Sequence, residues 1–123
     1  MCDILIVEDN WLSAVLIREI ALSAGFNVFI CVSYSEALKV IHDKKRGFYL
    51  IVTDFYLMDG NGIDLARKIK RIKRYENKKI ILLSGKGFSQ KEKKELEKIF
   101  FDILLKPIDV FKLKNIFEEL KKR

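Results

Sequence analysis

Three carboxylates, a hydroxyl and an ammonium stand where short apolar runs of this chain give way to polar residues. The run 4–7 is followed by Glu8 and Asp9, 50–53 by Asp54, 80–83 by Ser84, and 103–105 by Lys106 and the only proline, Pro107. If the runs are strands of one sheet, these groups collect at its carboxyl edge, where open α/β sheets bind ligands. Carboxylates crowded together repel one another unless a cation joins them. Mg2+ suits such a place, being a hard cation that takes oxygen ligands and keeps room for waters and phosphate oxygens. A carboxylate held there can attack phosphorus and form an acyl phosphate. Lys106 and Ser84 supply the ammonium and hydroxyl that stabilise charge on a transferred phosphoryl group.

Each residue alone has a plainer reading. Asp9-Asn10 suits the start of a helix, and Asp54 precedes the strongly turn-forming Asp59-Gly60-Asn61-Gly62. A serine or lysine at the end of a strand is common. Five compatible groups at the ends of four different runs are a coherent set, and chance is a poor explanation for it.

The elements that must position them follow from periodicity. Five runs, 4–7, 28–32, 50–53, 80–83 and 103–105, are short and rich in Ile, Val and Leu, as strands buried on both faces are. Between them lie stretches with apolar residues three and four apart. The first runs from the cap Asn10 to Gly25, with Ile17, Ile20, Ala21 and Ala24 inward. The second starts near Ser33 or Ser35 and buries Ala37, Leu38 and Ile41. The third follows Gly62, with Leu65, Ala66, Ile69 and Ile72 inward. The fourth follows Ser89, with Leu96, Ile99 and Phe100 inward. The last follows Asp109, with Leu113, Ile116, Phe117 and Leu120 inward. Strict strand–helix alternation predicts a doubly wound five-stranded parallel sheet flanked by five helices.

At 123 residues the chain fits one domain, 1–123. Cys2 and Cys31 are read as small buried thiols, and His42, the only histidine, as a helical residue with no metal partner. Few cysteines and no signal peptide place the protein in the cytoplasm, and no apolar stretch is long enough to span a bilayer. The formal charge of +7 owes much to Arg67, Lys68, Lys70, Arg71, Lys73, Arg74, Lys78 and Lys79. These read as a solvated helix face and its loop. No nucleic-acid recognition motif accompanies them, so no nucleic-acid role is expected.

The chain resembles the receiver domain of bacterial response regulators, nearly end to end. The resemblance rests on Ile4-Leu5-Ile6-Val7-Glu8-Asp9-Asn10, on Ile51-Val52-Thr53-Asp54 with Gly62 downstream, on Leu82-Leu83-Ser84-Gly85, and on Leu104-Leu105-Lys106-Pro107. It implies a flavodoxin-like, receiver-type fold and a role in two-component signalling. By that resemblance Asp54 is the phosphoacceptor. Glu8, Asp9, Asp54 and the backbone carbonyl of Tyr56 hold Mg2+, Ser84 and Lys106 contact the phosphoryl oxygens, and the Lys106-Pro107 bond is cis. The donor is a sensor histidine kinase or phosphotransfer protein, and the output passes to a separate protein from a monomer or weak dimer. The chain catalyses no reaction beyond its own phosphorylation and dephosphorylation.

Two departures from the family pattern matter. Met58 stands where a proline is usual, so the loop after Asp54 is expected to be shaped differently. Ile103 stands where an aromatic usually accompanies the hydroxyl residue in switching, leaving Ser84 and Ile103, with Phe100 and Phe101 nearby, to carry the switch. Tyr56 and Lys86 are bulky and could hinder an attacking water, so slow phosphate loss is expected. The first helix carries Trp11, Leu12, Val15 and Leu22 away from its core stripe, a docking face for the donor. Two rival classes are disfavoured. Phosphohydrolases and nucleases of doubly wound type carry an Asp-x-Asp arrangement, which neither Glu8-Asp9 nor Asp54-Phe55-Tyr56 provides. A degenerate receiver that only binds partners would not keep every charged position filled.

Overall fold

The computed structural model describes residues 3–121. Five strands, β1 (Asp3–Val7), β2 (Asn27–Cys31), β3 (Leu50–Asp54), β4 (Lys79–Ser84) and β5 (Asp102–Leu105), form one sheet. All four pairings are parallel, in the order β2-β1-β3-β4-β5. The helices are α1 (Trp11–Ser23), α2 (Tyr34–His42), α3 (Gly62–Lys70), α4 (Gln90–Leu96) and α5 (Val110–Lys121).

Strand side chains alternate between two cores. Ile4 and Ile6 of β1, with Ile81 and Leu83 of β4, pack beneath α1 and α5 against Ile17, Leu113 and Phe117. Leu5, Val7, Ile80 and Leu82 face the other way, against Ala37, Ile41, Leu65 and Ile69 of α2 and α3. The strand order reverses between β1 and β3, so the chain leaves their carboxyl ends in opposite directions and opens a crevice.

Helix starts follow the polar signals in the sequence. Asn10, Ser33, Asn61 and Ser89 each accept a backbone N–H three residues on, and Ser89 forms a reciprocal capping box with Glu92. Gly25 ends α1 at φ +90°, a conformation that side chains other than glycine's rarely adopt.

Several expectations need correction. α4 ends at Leu96, so Ile99 and Phe100 reach the core from the turn beyond it. Ala24, Leu38, Ile72, Ile99 and Ile116 do face inward, half-buried against the two cores, and Ala14, not among the expected core residues, is fully buried on α1. The turn-forming segment after Asp54 closes a small antiparallel ribbon pairing Tyr56 with Asn61 and Leu57 with Gly60. Cys31 is a free buried thiol, its pKa pushed up to about 12 by burial and by Glu36. Cys2 lies outside the described residues. His42 is exposed, its Nδ1 2.9 Å from the Leu38 carbonyl oxygen.

Candidate functional site

The pocket forms because β1 and β3 are neighbours in register, Val7 opposite Thr53, so the residues following them emerge side by side. One carboxylate oxygen from each of Glu8, Asp9 and Asp54 lies within 4.8 Å of the others. Glu8 is fully buried, Asp54 nearly so, and Asp9 exposed. β5 delivers the cation. The Lys106 Nζ lies 2.6 Å from Glu8 Oε1 and 3.1 Å from Asp54 Oδ2, bridging the two buried acids. The second Glu8 oxygen accepts from the Asn10 N–H at 3.4 Å.

The electrostatics follow from this geometry. Burial disfavours ionised Glu8 and outweighs the hydrogen bond from Lys106; with neighbouring Asp54 adding to the effect, its pKa stands at about 7. Burial also pulls the Lys106 ammonium down, but hydrogen bonds and charges from Glu8 and Asp54 prevail and raise it. Lys106 therefore stays charged at neutral pH. A set of three oxygen donors from carboxylates, one exposed to solvent, fits a small hard cation that retains water ligands.

Ser84 ends β4, fully buried beside Asp54, and its carbonyl accepts from the Lys106 N–H at 2.8 Å. Its hydroxyl donates to the Lys86 carbonyl at 2.8 Å and accepts from the Lys86 N–H at 3.1 Å. The Lys106-Pro107 bond is cis. Tyr56, two residues beyond Asp54, is 68 % exposed, and Met58 is exposed at the turn of the ribbon. Ile103 is half-buried opposite Leu82, packed on the α2–α3 core; Phe100 is buried and Phe101 exposed. On α1, Trp11 and Leu12 are 58 % and 81 % exposed and Leu22 is exposed, whereas Val15 is half-buried and Leu16 takes the outward place expected for it.

Sequence reasoning named Gly62 and Asp59 as motif and turn residues but missed what each does at the site. Gly62 sits so close to the Asp54 backbone that a Cβ would meet its carbonyl oxygen at 2.3 Å. Asp59 accepts the N–H groups of Tyr34 and Ser35 at 2.7 and 3.0 Å, tying the loop after β3 to the start of α2. These backbone bonds hold the Asp59 carboxyl below its ordinary range. Asp59 follows Met58 in a turn signal, and nothing local says which helix it caps.

A parallel 2-1-3-4-5 sheet with an acidic pocket at its switch point is the architecture of receiver domains. The sequence matches the response regulator receiver domain over residues 4–118, and the chain belongs to that family. Relatives include the probable transcriptional regulator ycf29 of Pyropia yezoensis, 29% identical over 117 residues, 95% of this chain and 52% of that protein. The two-component response regulator ORR5 of Oryza sativa subsp. japonica is 27% identical over 105 residues, 85% of this chain and 78% of that protein. The chain thus spans about half the length of the Pyropia relative. Among solved structures, a CheY-like receiver domain from Methylobacillus flagellatus superposes with a TM-score of 0.82 at 25% identity, covering 98% of each chain. A two-component response regulator from Clostridium difficile reaches a TM-score of 0.86 at 20% identity, covering all of this chain and 98% of that one, a likeness of fold alone. The protein is accordingly a receiver domain of two-component signal transduction, a family in which phosphorylation on aspartate and use of Mg2+ are general. No helix among the described residues is long and apolar enough to cross a membrane.

Proposed function

We propose that this chain, as a single receiver domain over 1–123, takes a phosphoryl group from a phosphohistidine donor onto Asp54 and so switches a protein-interaction surface. The observation that carries this reading is the meeting of Glu8, Asp9 and Asp54 within 4.8 Å, with Lys106 bridging Glu8 and Asp54. Glu8, Asp9, Asp54 and the Tyr56 carbonyl would hold Mg2+, which when bound neutralises charge on the phosphoryl oxygens. An Asp54 oxygen forms the new O–P bond as the P–N bond of the donor imidazole breaks; the leaving nitrogen takes the bond's electron pair, and a proton already on the other ring nitrogen lets the ring leave as neutral imidazole. Lys106 then pairs with the phosphoryl group instead of with a bare carboxylate, and the Ser84 hydroxyl donates to a phosphoryl oxygen. The chain promotes only its own phosphorylation and dephosphorylation, in the cytoplasm. Its partners are a sensor histidine kinase or phosphotransfer protein on the donor side and an output domain or protein on the other. The test is intact mass after incubation with a small acyl phosphate and Mg2+: the native chain gains one phosphoryl group and Asp54→Asn gains none. Equal modification of both would remove Asp54 from the role.

Metal binding and protons are linked through Glu8. Its folded pKa, about 7 against an ordinary 4.5, means the metal-free folded state holds a proton that the unfolded chain has already released. Stability of the metal-free protein therefore falls as pH rises from about 4.5 to about 7 and levels off above. Mg2+ must displace that proton at low pH. Its stabilising effect is expected to be clearly larger at pH 8 than at pH 6, read as the shift in melting temperature on adding Mg2+. An equal or smaller shift at pH 8 would contradict this assignment of Glu8.

The donor would dock on the exposed apolar residues at the start of α1, Trp11 and Leu12, with Val15 at their edge. A Leu12→Glu variant should lose most of its phosphotransfer rate from a cognate donor while keeping its rate with the small acyl phosphate. Equal retention of both rates would exclude this face.

A further inference from the structure

Ser84 has a single hydroxyl proton, and in this structure that proton is spent on the Lys86 carbonyl at 2.8 Å while the oxygen accepts from the Lys86 N–H at 3.1 Å. A phosphoryl oxygen on Asp54 could receive the proton only after the Lys86 backbone has let go. The side chain of the same residue, though exposed, lies over two rings beside that turn. The Lys86 ammonium lies 5.1 Å from the centre of the Phe55 ring and 5.3 Å from that of Phe88, within reach of both ring faces' negative charge. The two rings meet edge to face at 5.9 Å.

Each ring has its own anchor. Phe55 follows Asp54 directly, donates its N–H to the Leu83 carbonyl at 2.7 Å, and packs edge-on to Tyr56 at 4.8 Å. Phe88 precedes Ser89, whose capping box starts α4. Both rings are half-buried against the α2–α3 core. The ammonium thus lies over one ring from the end of β3 and one from the foot of α4, next to the Ser84–Lys86 turn.

We propose that Lys86 is a positioning residue for Ser84: clamped over Phe55 and Phe88, it keeps the turn closed and the Ser84 hydroxyl withheld from Asp54. The inference rests on the reading of Asp54 as phosphoacceptor and adds how that site is restrained. Drawing Ser84 toward a phosphoryl group opens the turn, lifts the ammonium off the rings and frees the foot of α4. The half-buried Ile103 carries no ring that could follow Ser84, so the motion is read out at Lys86 and Phe88 instead.

The test combines rate and spectroscopy on the intact chain. In the unmodified protein the Lys86 ε-methylene protons should resonate upfield, shielded by the two rings, and move toward the ordinary lysine position once acyl phosphate and Mg2+ have modified Asp54. Lys86→Met, which keeps the bulk without the charge, should speed modification by roughly fivefold. In a Ser84→Ala background the same substitution should change nothing, because no hydroxyl is left to withhold. A rate unchanged or lowered by Lys86→Met, or a gain that persists without the hydroxyl, would overturn the clamp. Intact mass from the same samples separates the two layers. A native chain that is never modified takes the phosphoacceptor reading and this inference together, whereas normal modification without the Lys86 effect removes the clamp alone.

Discussion

Gly62→Ala is expected to lower the melting temperature by about 10 °C, equivalent to roughly 3 kcal/mol, and to slow modification of Asp54. At the first position of a helix, replacing glycine by alanine usually stabilises, because alanine surrenders less backbone freedom on folding. Here the sign reverses. The new Cβ would stand 2.3 Å from the Asp54 carbonyl oxygen and 3.1 Å from its carbonyl carbon. Those are backbone atoms and cannot rotate aside. The Gly62 N–H also donates to the Phe55 carbonyl at 2.8 Å, so the start of α3 and the end of β3 are locked at close range. Relief must come from displacing the segment that carries Asp54, which is why stability and reactivity should fall together. Thermal denaturation of the two proteins decides it; an unchanged or raised midpoint would show that the close approach is absent in solution.

The second large effect is expected from Lys106→Met. Its ammonium is the only cation paired with Glu8 and Asp54 among the described residues, and Glu8 is fully buried. Removing one partner of such a pair leaves an uncompensated buried charge. Glu8 can escape part of that cost by taking a proton, so the loss of stability in the metal-free protein should be about 2 kcal/mol at pH 8 and smaller at pH 6. The rate of modification by acyl phosphate should fall by roughly a hundredfold, as when one preorganised charge-stabilising donor is removed. Denaturant titration at the two pH values and intact-mass time courses check the two halves separately. A variant as stable at pH 8 as at pH 6 relative to the native protein, and modified at the native rate, would mean that Lys106 does not hold the two acids.

The fold was legible in the sequence wherever one local signal sufficed. The runs rich in Ile, Val and Leu mark β1, β3 and β4 because those strands are covered on both faces, and Asn10, Ser33 and Ser89 mark helix starts because each caps its own helix. The acidic pocket was legible because a parallel sheet brings the ends of its strands to one edge. Features set by distant contacts were not. α4 stops at Leu96 although Lys-Glu-rich sequence continues to Lys98 without a glycine or proline. The half-burial of Val15 reflects how α1 rotates on the sheet, which the spacing of its apolar residues left open by one position. Gly62 reads as the end of a turn, and only the approach of Asp54 shows why a side chain is excluded there. The clamp of Lys86 between Phe55 and Phe88 joins residues 31 and 2 positions away, a contact with no sequence pattern of its own.

Everything functional turns on whether the crowded acids at the switch point work as one phosphoryl-accepting centre. Peptide mapping of the chain after acyl phosphate treatment, with Mg2+ and with the metal chelated, asks this directly. One phosphoryl group should appear, on the peptide that contains Asp54, and should vanish when the metal is removed. A label on any other peptide, or equal labelling with the metal chelated, would contradict it.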